Sequence, residues 1–368
     1  MRFQPWAAVL AASWLSACAT AKPAAPGLAA ISQPWPYAAP IAAPARQERA
    51  PLAMATGEDF ADLAGWADDD HAAALAAFEA SCGAATDPLM VTVCRRARAL
   101  GRLAEPEARD FLERNFHLDR VAGPGLLTAY YTPVYEARSN PDREFTAPVR
   151  SRPVDLHGLY ADRESIESAP APDALAWMRP EDLFFMQIQG SGVLTFPDGA
   201  RARAAYDGDN GAPFVGIAAP MRRQGLLADE GTSAEAIHAW LAANRGPRAE
   251  AIMWLDRRYV FFRLQQDDGA EPIGAAGAPL IAGRSVAVDP SEHAMGELLW
   301  IDASSPVLSG AFPLYRRLTV ALDTGGAIKG QTRADLYMGR GAAAGLEAGR
   351  VRHVLRLYRL TPLIRPGT

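Results

Sequence analysis

Three aspartates in the C-terminal third of the chain follow or flank short apolar runs: Asp289 in SVAVDP, and Asp323 in ALDTGG and Asp335 in RADLYMG on either side of a glycine-rich turn. Each is read as sitting where an apolar strand meets a turn. A carboxyl group set there beside aromatic neighbours is desolvated, which disfavours its charged form and lets it act as an acid near neutral pH. Aspartates also cap turns, so spacing alone leaves a structural role open for each. Lys329, one of only two lysines in the chain with Lys22, lies between Asp323 and Asp335.

Other chemistries fit poorly. GGAIKGQT does not match the GxxxxGK[ST] phosphate loop. Asp-Thr-Gly after Val-Ala-Leu is like an aspartic-peptidase strand, but that reaction needs two such aspartates sharing a proton, and no partner strand follows. The six histidines show no HExxH and no pair at ligand spacing, which argues against zinc hydrolysis, and no metal is expected. Ser191 lies in QGSG, not in a GxSxG elbow. Asp207-Gly208-Asp209-Asn210-Gly211 lacks the twelve-residue spacing of an EF-hand and reads as a turn. The net charge of -5, with no basic block, argues against nucleic acid as a partner.

The elements that must carry these residues change texture along the chain. Residues 57–117 place Phe60, Leu63, Trp66, Leu75, Phe78, Leu100, Leu103, Phe111 and Leu112 at near-helical intervals, and Glu105-Pro106-Glu107 marks a helix start. From Gly125 onward come short β-forming runs separated by tight turns: LLTAYYTPVYEA, FTAPVRSRPVDL, LFFMQIQGSGVLTFPDG, RRYVFFRLQQ, SVAVDP, GELLWIDAS, RRLTVALDTGG and RVRHVLRLYRL. VLTFPDGARARAAY reads as a hairpin around Pro197-Asp198-Gly199. APMRRQGLL and SAEAIHAWLAANR read as short helices. This spacing points to closed or nearly closed β-barrels rather than a doubly wound sheet.

The N-terminus carries an address. Arg2, an apolar run from Trp6 to Leu15 and the ending LSAC have the layout of a secretory signal, too short to span a bilayer as a mature helix. LSAC resembles a bacterial lipobox, which implies lipid on Cys18 and anchorage to a membrane without a spanning helix. Residues 21–51, rich in alanine and proline, read as a semi-extended tether. If Cys18 takes lipid, Cys82 and Cys94 remain as a pair in an oxidising compartment, either as a short-loop disulfide or as two buried thiols.

The run GRSVAVDP, ALDTGGAIKG and RADLYMGRGAAAG resembles the three-aspartate (3D) domain of murein-active proteins. Upstream, AYYTPVYEA, LFFMQIQGSGVLTFPDG, AYDGDNGAPF and RRYVFFRL resemble the membrane-bound lytic murein transglycosylase A family, in the same order. The likeness runs from about residue 57 to residue 360. It implies a mainly β protein with a helical N-terminal segment: a double-psi β-barrel plus an inserted second β-barrel domain, with a groove between them. The expected boundaries are a signal peptide at 1–17, a lipidated tether at 18–54, a first domain at 55–132 and 267–365, and the inserted domain at 133–266.

The resemblance further implies cleavage of the β-1,4 bond between N-acetylmuramic acid and N-acetylglucosamine in peptidoglycan, without added water and without a cofactor, leaving a 1,6-anhydro end. By motif position Asp335 is the acid, and Asp323 and Asp289 shape its electrostatics. Gly325 and Gly326 let the backbone turn tightly beside sugar, and Lys329 pairs with a carboxylate or binds a substrate carboxylate. Tyr130, Tyr131 and Thr132 are expected at the domain junction, and Gln187, Gln189, Ser191 and Asp207 on the opposite wall. Two residues depart from the family pattern: Asp256 stands where asparagine is expected, and Phe214 where tyrosine is expected. The implied location is the outer membrane of a Gram-negative bacterium, facing the periplasm, with cell-wall enzyme complexes as possible partners. A non-catalytic glycan-binding lipoprotein and a hydrolase on the same scaffold are the alternatives.

Overall fold

The computed structural model describes residues 58–227, 233–305 and 312–363. The signal segment, Cys18 and the tether lie outside the described residues. Two 3-10 turns, Phe60–Asp62 and Trp66–Asp68, lead into helices α1 (His71–Ala80), α2 (Pro88–Leu100) and α3 (Glu105–Asn115). Asp70 and Asp87 cap α1 and α2 by accepting backbone N–H groups, and Pro88 and Pro106 sit in the first turns of α2 and α3, where no N–H is missed.

The 17-residue strand β1 (Phe116–Thr132) follows directly. After it come β2 (Val134–Glu136), β3 (Ala147–Arg150), α4 (Arg163–Ser168), β4 (Ala174–Met178), α5 (Pro180–Gln189), β5 (Gly192–Thr195), β6 (Arg201–Asp209), α6 (Ala218–Arg223), α7 (Ala234–Ala243), α8 (Pro247–Met253) and β7 (Val260–Gln266). The chain closes with β8 (Ser285–Ala287), β9 (Leu298–Ser304), β10 (Leu314–Asp323), β11 (Arg333–Arg340), α9 (Gly341–Ala348) and β12 (Arg352–Pro362).

Six strands form a closed barrel in the order β1-β11-β8-β10-β9-β12, with β12 pairing back onto β1. One strand therefore precedes the 133–266 stretch and five follow it. That stretch builds a four-stranded sheet, β2-β5-β6-β7, and a two-stranded sheet, β3-β4, with helices packed around them. The barrel interior is filled by alternating residues of every strand, among them Leu127, Val286, Ile301, Ala321, Leu336 and Leu357. A second core covers the barrel's outer face, where Phe78, Phe111 and Leu112 of the helices meet Leu298, Trp300, Leu318 and Leu360. Trp66 packs edge-on to Trp300 at 5.1 Å, and the Asp69 carboxylate pairs with Arg284 at 2.8 Å, tying the N-terminal turns to the barrel. Gly125 sits where β1 runs against two neighbours: a Cβ there would lie 2.4 Å from the Leu355 carbonyl oxygen.

One strand expectation is corrected. LFFMQIQ was read among the β-forming runs, yet it lies in α5. Pro180 in the first turn, Glu181 and Asp182 beside the positive end of the helix dipole, and Gly190 in the left-handed conformation at its end are start and stop signals. They outweigh the β preference of Phe184, Phe185 and Ile188, and burial of Leu183, Phe184 and Met186 secures the helix.

Cys82 and Cys94 form a disulfide across a separation of 12 residues, joining the end of α1 to α2. Closing so short a loop contributes about 3 kcal/mol through the unfolded chain. Replacing both cysteines by serine is expected to lower the melting temperature while leaving turnover at low temperature unchanged, because the bond lies in the helical segment. Thermal melts with and without reductant, beside activity measurements, check this.

Candidate active site

The barrel strands present one set of residues to the interior and the alternate set outward. Leu127 and Ala129 of β1, and Ala334 and Leu336 of β11, join the inner core. Thr128, Tyr130, Arg333, Asp335 and Tyr337 therefore face out on the opposite side of the pleat. Parallel pairing sets Thr128 beside Asp335 and Tyr130 beside Tyr337. Asp335 also pairs with Ala287 of β8, and Asp323, the last residue of β10, pairs with Ala287 from the other side. Two strand spacings thus place the two aspartate Cα atoms about 10 Å apart, and the methyl side chain of Ala287 leaves the space between them open.

This face is the floor of a groove of about 670 Å³, whose far wall is the inserted stretch. From the barrel side come Thr128, Tyr130, Asp323, Arg333, Asp335 and the turn 324–329. From the other side come residues 187–191, Tyr206, Asp209, Phe214, Asp256 and Arg258.

The two floor aspartates have different surroundings. The Asp323 carboxylate accepts the Tyr130 hydroxyl on Oδ2 at 2.7 Å and the Ala275 and Thr324 amides on Oδ1 at 3.0 and 2.9 Å. Burial pushes its pKa up, and those three donors oppose the rise. Among the described residues Asp335 accepts only the Thr128 hydroxyl, on Oδ1. Burial raises its pKa too; the Thr128 donor and the Arg333 guanidinium oppose the rise, and the charge of Asp323 adds to it. Among the described residues Asp335 is accordingly the carboxyl on this floor with the fewest fixed donors, its Oδ2 taking none.

Asp289 is not in the groove. It accepts the Gly330 amide at 2.8 Å and the Ser291 hydroxyl at 2.8 Å, and Lys329 lies 3.8 Å away. Burial alone would raise its pKa, but these donors outweigh burial and hold it below the usual range. Its place is that of an anchor tying the 324–331 turn to the end of β8, and Lys329 takes the carboxylate-pairing option. Asp335 likewise departs from the turn position expected for it: it is the third residue of β11.

Tyr130 reaches the site, whereas Tyr131 and Thr132 do not line it. The Tyr131 ring packs against Gly345 of α9, and Thr132 is buried against the Tyr337 hydroxyl at 2.9 Å. Gln187, Gln189 and Ser191 line the far wall. Gln187 is already engaged with Arg163 and the Val260 carbonyl, and Gln189 accepts the Tyr131 amide at 3.1 Å. Asp207 turns away to pair with Arg263 at 3.0 Å; a break in the alternation of β6, at the register shift between Tyr206 and Gly208, instead brings Asp209 into the groove, where it holds Arg258 at 2.7 Å. Gly325 and Gly326 are not among the glycines with positive φ. Space is their reason: a Cβ on Gly326 would sit 3.0 Å from the Arg258 guanidinium, which reaches across from the far wall.

Asp256 and Phe214, the two departures, also line the groove. Asp256 accepts the Val215 and Arg258 amides on Oδ1, a task an asparagine oxygen performs equally well. Thr128, Arg333, Asp209 and Arg258 are site residues that the motifs did not single out. The strict alternation of LLTAY and RADLY is the signal that points to the first two.

Comparison with known proteins agrees with this architecture. Residues 126–263 match the MltA specific insert domain and residues 284–361 match the 3D domain. A membrane-bound lytic murein transglycosylase from Agrobacterium tumefaciens superposes with a TM-score of 0.74 at 31% identity, over 83% of this chain and 97% of that one. The chain belongs to the membrane-bound lytic murein transglycosylase A family. The curated family member from Vibrio cholerae serotype O1 is 36% identical over 249 residues, 65% of this chain and 66% of that protein, so the match spans just under two thirds of its length. The Escherichia coli MltA structure with bound chitohexaose superposes with a TM-score of 0.65 at 27% identity, over 80% of this chain and 91% of that one. The family's two sequence regions correspond here to the far wall with the end of β1, and to the remaining barrel strands. The groove lies where they meet.

Proposed function

We propose that this protein is a lytic transglycosylase that cleaves the N-acetylmuramic acid–β-1,4–N-acetylglucosamine bond of peptidoglycan without consuming water. The observation that carries the reading is the setting of Asp335: a groove-lining carboxyl with a raised pKa, one neutral hydroxyl on Oδ1 and, among the described residues, no donor on its second oxygen.

Asp335 in its acid form donates its proton to the glycosidic oxygen as the C1–O bond breaks, and the N-acetylglucosamine end leaves as an alcohol. The resulting carboxylate faces the positive charge developing at C1. The muramic acid's own C6 hydroxyl then bonds to C1, closing the 1,6-anhydro ring. Its proton passes to Asp335, which returns to the acid form. One protein carboxyl suffices because the substrate supplies the nucleophile, whereas ordinary glycosidases need two carboxylates. Asp323 has both oxygens held by fixed donors, which suits a standing negative charge beside the reacting carbon and disfavours a role as base for water. The bound chitohexaose of the E. coli relative is likewise a β-1,4 glycan.

The same proposal takes residues 55–132 and 267–365 as the barrel domain and 133–266 as its insert. It takes Cys18 as the lipid-bearing residue that holds the protein to the outer membrane, facing the periplasm. The test is to incubate full-length protein, purified in detergent, with murein sacculi and to weigh the released fragments. Fragments lighter than hydrolysis products by one water are the expected result. Ordinary reducing ends would make the protein a hydrolase, and tight binding without release would make it a glycan-binding lipoprotein.

A further inference from the structure

Proton accounting on the groove floor reaches beyond the choice of acid. Arg333 directs Nη2 to the Thr128 hydroxyl oxygen at 2.8 Å and Nη1 to the Ala334 and Leu126 carbonyls at 2.6 and 3.4 Å. A guanidinium can only donate, so the Thr128 oxygen must accept from it. A hydroxyl has one proton, and with Arg333 occupying its acceptor side that proton goes to Asp335 Oδ1. Oδ1 is thereby committed as an acceptor whether Asp335 is charged or neutral.

We infer that Thr128, oriented by Arg333, is a positioning residue that confines the transferable proton of Asp335 to Oδ2, the oxygen left over for substrate. The inference rests on Asp335 being the acid of the proposed reaction. It also gives the arginine a reason to spend its guanidinium on neutral oxygens. A direct ion pair would hold Asp335 ionised and end its use as an acid. Relayed through a hydroxyl, the cation still favours the carboxylate formed after proton donation, without abolishing the acid form before it. Side-chain alternation secures the arrangement: Arg333 and Asp335 are two apart on β11, and Thr128 is the register partner of Asp335 on β1. The other charged or titratable groups around it are Asp323 of β10, Tyr130 of β1, Tyr337 of β11 and Lys329 of the turn, with Arg352 of β12 the register partner of Thr128 and Tyr206, Asp209, Asp256 and Arg258 on the far wall.

The experiment compares Thr128→Val, Thr128→Ser and Arg333→Gln with the parent by two readouts. The first is the pH dependence of kcat on sacculi. The second is the titration midpoint of Asp335, followed by NMR of carboxyl-labelled aspartate in the full chain and assigned with Asp335→Asn. Thr128→Val removes a donor to the charged form, so the midpoint is expected to move to higher pH and kcat to fall roughly 10- to 100-fold, with KM nearly unchanged. Thr128→Ser is expected to restore both. Arg333→Gln should move the midpoint the same way, and it serves as the second variant if Thr128→Val does not fold. An unmoved midpoint in both altered proteins, or failure of serine to restore what valine removes, would overturn the inference. The NMR midpoint needs no turnover. A shifted midpoint in a protein that releases no anhydro fragments would retain the relay and reject the proposed reaction, whereas anhydro fragments with an unmoved midpoint would do the reverse.

Discussion

Asp335→Asn is expected to lose turnover on sacculi by at least about 10³-fold, because the group that both gives and takes the proton in the proposed reaction is gone. The same variant is expected to melt at a higher temperature than the parent at neutral pH. The sign follows from the raised pKa of Asp335 in the folded state. A carboxyl with a folded-state pKa above its unfolded value binds its proton more tightly when folded. Its favourable contribution is therefore complete below the unfolded pKa, near 3.9, and is lost as pH rises through the folded one. Each unit between the two values corresponds to about 1.4 kcal/mol against the parent once both are passed. Asparagine has no such proton, and its carbonyl oxygen still accepts from Thr128. The gap in melting temperature should be widest near pH 7 and close below about pH 4. Carboxylates that do not feel Asp335 titrate alike in both proteins and cancel in the difference, whereas Asp323 loses a neighbouring charge in the variant, which adds to the same sign. A variant with the parent's melting temperature at every pH would show that Asp335 is not held in a site hostile to its charge. Substantial turnover by the variant would remove Asp335 from the chemistry.

That pairing of lost activity with gained stability separates Asp335 from its neighbours. Asp289 is held below the usual carboxylate range by the Gly330 and Ser291 donors. Its contribution to stability is present at neutral pH and is lost on acidification through the folded pKa. Asp289→Asn should therefore lower the melting temperature, the opposite sign on the same barrel. In the sequence the two aspartates look alike, each beside an apolar run. What differs is which backbone amides the fold brings to each, and a turn's amides are not visible in a motif.

The barrel-side half of the site was largely legible for a physical reason. Strand alternation is a local property, so LLTAY and RADLY already state that Thr128, Tyr130, Arg333 and Asp335 share the faces opposite Leu127 and Leu336. The far wall was not legible, because its members meet the barrel only through contacts distant in sequence. Asp209 rather than Asp207 lines the groove, since Gly208 at φ 130 and a register shift between Tyr206 and Gly208 alter which side of β6 faces in. Tyr131 was expected beside sugar but belongs to the opposite side of β1, where α9 receives its ring. The helix at Pro180–Gln189 was hidden by β-forming side chains although its end signals were present, a case of tertiary burial reinforcing the caps over intrinsic preference.

The far wall's own integrity turns on Arg163, and removing its charge is expected to have the largest stability effect of any single change considered. Arg163 is 1% exposed. It donates to the Asp256 carbonyl at 2.8 Å, to the Arg258 carbonyl, to Gln187 and to Glu167 at 3.0 Å, and its guanidinium lies over the Phe184 ring at 4.9 Å. The nearly inaccessible carboxylate of Asp256 is 3.9 Å from it. Arg163→Met would fill the volume but strand Asp256 and two carbonyls without their donor. Removing one partner of a buried pair costs about 3–5 kcal/mol, which for a protein of this size lowers the melting temperature by roughly 10 °C. Asp256→Asn alone is expected to be close to neutral, because burial already raises the pKa of Asp256 and an amide oxygen satisfies the Val215 and Arg258 amides. Combined with Arg163→Met it should recover part of the loss, since no uncompensated charge then remains. Melting curves for the four proteins of this cycle decide the matter. Strict additivity would mean that Arg163 acts through its carbonyl bonds alone, and recovery would mean that the Asp256 charge is what Arg163 is there to hold.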